Sequence, residues 1–309
     1  MKSNGEDGKR RMAHGSWWRT GKGFFCGLIA AFMMLFFSNC YEAQEGCLDL
    51  GATNYDVTAD DNCPDCCTYP SLNLAFRHLI VPTTMPDTSV SLRYNSYYPT
   101  FDSPLDTFTI ERIRYFLSEI RLVRPNGEEV HILDSVTVEI DGNEVTFEDS
   151  FAKVDRDIVQ TVNVGTVRTE GEFSAIRFFV GLAPNLLNID PSSVPRTSQL
   201  NVSSDTLLYM DTINIGYLSS LVVFNRDTVS TIDSTRVAIF ENTDLVEIPF
   251  AETFTLDPGF DIKVTLNVDY LKWFHDIGVP TIDQNMVNDD LRSQFVENIV
   301  TSFSISTVE

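Results

Sequence analysis

Residues 260–270 read FDIKVTLNVDY, with Phe260, Ile262, Val264, Leu266, Val268 and Tyr270 alternating with polar side chains. A period of two places every second side chain on one face, so this stretch folds as a β-strand with one buried face. The same period runs through SLNLAFRHLI, where Leu72, Leu74, Phe76, His78 and Ile80 share a face. Val136, Val138 and Ile140 lead through Asp141-Gly142 to Val145 and Phe147. That is a hairpin signal, because Asp-Gly accepts the positive φ of a tight turn. Asn126-Gly127 joins IRLVRP to EEVHIL in the same manner, and further strands fit residues 173–182, 217–224, 236–240 and 246–250. Helical patterning is confined to residues 269–275 and 291–303. Many short strands between turns predict an all-β fold, an antiparallel and barrel-like β-sandwich, with one or two short C-terminal helices.

Composition narrows the function. With 43% apolar residues the chain can bury a real core. A net charge of −22 and no basic stripe argue against nucleic acid. Nucleophile elbows, phosphate-cradling glycine loops and H-E-x-x-H helices are absent, so the sequence predicts a binding protein and no enzyme. Residues 184–206 form a long stretch without periodicity, and such loops on a β scaffold commonly carry binding to a glycan or a protein.

The amino terminus runs against the acidic remainder. It carries Lys2, Lys9, Arg10, Arg11, Arg19 and Lys22, followed by an uncharged run, GFFCGLIAAFMMLFFSNC. Its apolar part, residues 24–37, is shorter than the ~20 residues a spanning helix needs and fits a signal peptide over residues 1–39. Met1 and Met12 are both usable starts. FFSNC resembles a relaxed lipobox, which makes Cys40 the lipid-bearing first residue of an exported, outer-membrane-associated lipoprotein, periplasmic or at the cell surface.

Residues 40–70 then form the anchor and a cysteine-rich neck, and residues 71–309 the β-domain. The neck holds Cys47, Cys63, Cys66 and Cys67. An oxidising compartment predicts two disulfides among them, in any of three connectivities. Zinc lacks a second clean C-x2-C pair, and Cys63-Pro-Asp-Cys66 lacks the βαβ setting of a redox motif. The neck resembles a short acidic, Cys-bounded element of exported Bacteroidetes proteins, through Cys47, Asp49, Ala52, Asn54, Tyr55, Asp60, Asp61, Cys67 and Tyr69.

Further on, five segments resemble, in order, the MbnP-like family: FTIERIRYFLSEIRLVRPNG, HILD, FSAIRFFVGLAPNLLN, NIGYLSSLVVF and FVENIVTSFS. The resemblance implies a β-domain in an exported copper-binding protein and, as a partner, a dihaem cytochrome-c peroxidase-like protein. The family's tryptophans before the Gly-Tyr pair are replaced here by Asp211 and Ile213, and the histidine of F-H-L-G by Phe240. What the resemblance leaves as an inherited copper ligand is His78, with Met210, close in sequence to the Gly-Tyr pair, as a candidate thioether. The bland readings are a hydrogen-bonded core histidine and a core-filling methionine. His131 and His275 read as an exposed hairpin residue and a local partner of Asp276.

Overall fold

The computed structural model describes residues 42–157, 161–167, 170–202, 208–209, 216–226, 234–279 and 289–309. The leader, Cys40 and Met210 lie outside the described residues. The chain divides into Met1–Gln44 and Glu45–Glu309, and the second unit carries the fold. No helix among the described residues is long and apolar enough to cross a membrane.

Two sheets face each other. The smaller contains β3 (Ser71–Ile80), β4 (Val90–Ser91), β11 (Thr161–Thr166), β16 (Ile262–Asp269) and β17 (Phe303–Val308). Its order is β11-β3-β16-β17, with β4 also on β3. The larger has the order β14-β13-β6-β12-β15, built from β6 (Thr107–Val123), β12 (Gly171–Val180), β13 (Ser220–Asn225), β14 (Ser234–Ile239) and β15 (Val246–Leu256). The short strands β5 (Tyr97–Pro99), β7 (Glu129–Val130) and β10 (Ala152–Asp155) also pair with β6. β8 (Ser135–Ile140) and β9 (Asn143–Glu148) form a separate hairpin. At its turn both Asp141 (φ 50°) and Gly142 (φ 78°) are left-handed, the geometry that keeps the strand twist through a two-residue loop. In the neck, β1 (Glu45–Gly46) pairs with β2 (Asp61–Asn62).

The all-β sandwich is as the alternation requires, and the pairing is antiparallel with one exception in the domain. β3 and β16 run parallel, Val264 opposite Leu74 and Val268 opposite His78. Their apolar faces meet Ile113, Tyr115 and Leu117 of β6 and Phe173 and Phe178 of β12 in the main core. Phe116, the next residue of β6 after Tyr115, faces a second core with Val136, Val138, Leu182, Leu200 and Tyr217. β6 is therefore covered on both faces, which is why its middle shows no polar alternation.

Two expectations at the carboxyl end change. Residues 269–275 give only a 3-10 turn, Lys272–Phe274, while the helix α1 spans Asp289–Val300. That helix stops short of Phe303 because Phe303 and Ile305 alternate with serines and pair with Val268 and Leu266 of β16. The neck also departs from expectation. Cys47 and Cys67 form a disulfide, whereas Cys63 and Cys66 are free thiols. The Cys66 thiol lies on the Cys63 carbonyl, 2.9 Å away, across the 3-10 turn Pro64–Cys66.

Candidate functional site

His78 sits where the parallel register brings β3 beside the end of β16. Asp269 closes β16 by accepting the N–H groups of Val81 and Leu271, both at 3.1 Å. Burial raises the Asp269 carboxyl above its ordinary range. This turn delivers Tyr270 to His78, its hydroxyl 2.7 Å from Nδ1 and the two rings stacked at 5.6 Å. Tyr270 and Tyr115 hydroxyls lie 3.2 Å apart, and Trp273 packs on both rings while its indole N–H donates to Ser302 Oγ at 2.9 Å. Burial pushes both tyrosine hydroxyls well above their usual range, so the column is neutral.

The imidazole is neutral too. Burial, with the Arg156 charge second, lowers the His78 pKa from 6.5 to about 4. Its Nε2 is sealed from solvent and has no hydrogen-bond partner among the described residues. A buried ring nitrogen without a partner is uncommon and costs about 1–3 kcal/mol, so the atom calls for an occupant. His78 also lines a 680 Å³ cleft that carries Arg77, Arg156, Asp157 and Lys263. Of these, Arg156 acts on the imidazole and opposes a dication, with Asp157 offsetting part of its charge.

The other histidines do not join it. His131 Nδ1 lies 2.9 Å from Glu148 and accepts from Arg121 at 3.1 Å in a half-exposed ion-pair network. His275 is exposed beside Asp276, with Nε2 and Oδ2 at 3.6 Å. Here the fold adds a residue that local reading missed: Asp102 accepts the Asp276 N–H at 3.2 Å, and Phe101 packs edge-on against the His275 ring at 4.5 Å. Ligand atoms of Asp102, His275 and Asp276 lie within 4.8 Å of one another, all on exposed residues. Nothing in the sequence marks Asp102 as their neighbour, because 174 positions separate it from Asp276.

The long loop is not the open surface its lack of period suggests. Leu186, Ile189, Val194, Leu200 and Val202 turn inward onto the second core. Tyr217 donates to the Leu200 carbonyl at 2.7 Å, and Asn201 to the Val194 carbonyl at 2.9 Å. Residues 184–202 contain no aromatic side chain on which a sugar could stack.

In the neck, Tyr69 donates to Asp49 at 2.8 Å, and Asn54 bridges the backbone of Cys66 and Thr68 at 2.8 Å each. The neighbouring Cys63 thiol pushes the Cys66 thiol up, with burial adding to it.

The geometry can be set beside known proteins. The family model MbnP matches residues 70–289. The solved structure of MbnP from Methylosinus trichosporium is similar at 10% identity and a TM-score of 0.39, over 66% of this chain and 76% of that one. No curated protein matches. With the family model covering well over half of its length, this chain belongs to the MbnP family.

Proposed function

We propose that this protein is an exported, lipid-anchored binding protein, without catalytic activity, that takes up copper at His78. The supporting observation is the ring itself: neutral, fixed at Nδ1 by Tyr270, and unpartnered at Nε2. With Nδ1–H donating to the Tyr270 oxygen, the Nε2 lone pair is free, which is how ligating imidazoles are held. Copper suits an imidazole donor, and the neighbouring Arg156 favours the singly charged Cu(I) over Cu(II). His78 supplies one ligand, and Met210 is the thioether candidate for a second. Bound there, copper would be stored or passed on, for which the family resemblance supplies a dihaem cytochrome-c peroxidase-like protein as the partner.

The test is copper content and competition against a chromophoric chelator, using untagged protein. Native protein retains Cu(I), and His78→Ala retains one equivalent less while keeping its far-ultraviolet circular dichroism. Equal retention by the two defeats the reading. No retention by either favours a metal-free surface module binding a glycan or protein. Membrane fractionation of Cys40→Ser tests the anchor, which predicts release from the membrane.

A further inference from the structure

We propose that Cys63 and Cys66 form a second, independent Cu(I) site on the neck. The two thiols bracket a single 3-10 turn, Pro64–Cys66, which holds them on one side of the chain. Pro64 fixes the first helical position, and Cys63 N–H donates to the Gly46 carbonyl at 2.9 Å, so the first cysteine is anchored to β1. The second is anchored by its neighbour, since Cys67 is bridged to Cys47. Both thiols are thus placed before any metal arrives, and Cys66 is exposed to receive it.

The number and type of donors choose the metal. Two sulfurs satisfy a cuprous ion, which accepts a two-coordinate thiolate pair, whereas zinc needs four ligands. Binding breaks two S–H bonds and forms two S–Cu bonds, releases two protons to water and leaves copper in its cuprous state. No oxidant or reductant takes part. The surroundings also differ from those of His78. Glu45 acts on Cys66, Asp61 precedes the turn and Asp65 lies within it, whereas the imidazole has Arg156, paired with Asp157, beside it. A cation is better accommodated at the neck. This site shares only the identity of the metal with the reading above and does not need His78.

The experiment uses the full chain exported with its own leader. Alkylation of the freshly isolated protein, mapped by mass spectrometry, labels Cys63 and Cys66 and spares Cys47 and Cys67. Cu(I), kept reduced by ascorbate so that the Cys47–Cys67 bridge stays closed, is then titrated against bathocuproine disulfonate. Native protein withholds a stoichiometric amount and gains thiolate-to-copper absorption in the ultraviolet. Cys63→Ser and Cys66→Ser each withhold one equivalent less and lose the absorption, while His78→Ala keeps the absorption. Two results overturn the proposal: serine variants that retain copper and absorption as the native chain does, or exported protein whose Cys63 and Cys66 sulfurs are already joined and refuse Cu(I). Retention lost in His78→Ala alone overturns it while sustaining the reading above; loss in the serine variants alone does the reverse.

Discussion

The neck and the β-domain are held together by different physics. Between Glu45 and Pro70 the side chains sealed from water are few, notably Cys47 and Ala52, and the segment is tied by one disulfide and short polar contacts. The domain buries Trp273, Tyr115, Tyr270 and a run of phenylalanines completely. A segment of this size cannot bury enough apolar surface to fold alone, so a covalent bond supplies what a core cannot. The difference extends to chemistry. The domain shelters a neutral, dry imidazole, and the neck displays two thiols among carboxylates.

That contrast can be broken from either side. Trp273→Ala removes the largest buried side chain along with its hydrogen bond to Ser302, and should cost the domain about 3–5 kcal/mol, read as a fall in the denaturation midpoint. His78 gives the next largest effect, through pH. Its folded pKa of about 4 lies below the unfolded 6.5, so between these values the unfolded chain binds the extra proton. Stability is full above pH 6.5 and declines as pH falls toward 4, by up to about 3 kcal/mol. His78→Asn, which keeps a partner for Tyr270, should flatten that decline in urea melts taken across the window; an unchanged slope would show that the imidazole does not titrate there.

Opening the neck disulfide comes next. Cys47→Ser with Cys67→Ser releases a 20-residue separation, about 3 kcal/mol of loop entropy, but confined to the neck. Limited proteolysis should cut within residues 47–67 while the domain melts at its native temperature. A matching fall in the domain's melting temperature would mean that the two regions unfold as one. Gly259 probes their junction. It has φ +79°, and an added Cβ would stand 2.9 Å from the Ala52 carbonyl oxygen. Gly259→Ala should cost about 1–2 kcal/mol and raise hydrogen exchange around Ala52. Smallest is Lys263→Ala at the exposed pair with Glu309, expected within about 1 kcal/mol.

Local pattern carried much of this architecture. The alternation at Ile262–Asp269 and the Asp141-Gly142 turn each name their own structure, because period and turn chemistry are properties of neighbouring residues. The parallel pairing of β3 with β16 is not such a property, nor is the meeting of Asp102 with His275. β15 runs on to Leu256, past the apparent end at Phe250, because pairing with Gly171–Phe173 of β12 sustains it where alternation has faded. His78 was visible as a residue on an apolar face, but its partner Tyr270 lies 192 positions away. Four cysteines named a stapled neck without choosing the staple.

The parallel β3–β16 ladder has a consequence for the order of assembly. One of the first strands to be synthesised must wait for nearly 200 residues before its neighbour follows, and β17 comes later still. Until then the edge of β3 that faces β16 stays open to water and to other chains, so the smaller sheet closes only when synthesis is almost finished. Truncations near the carboxyl end of such a chain should leave that edge unpaired and aggregate.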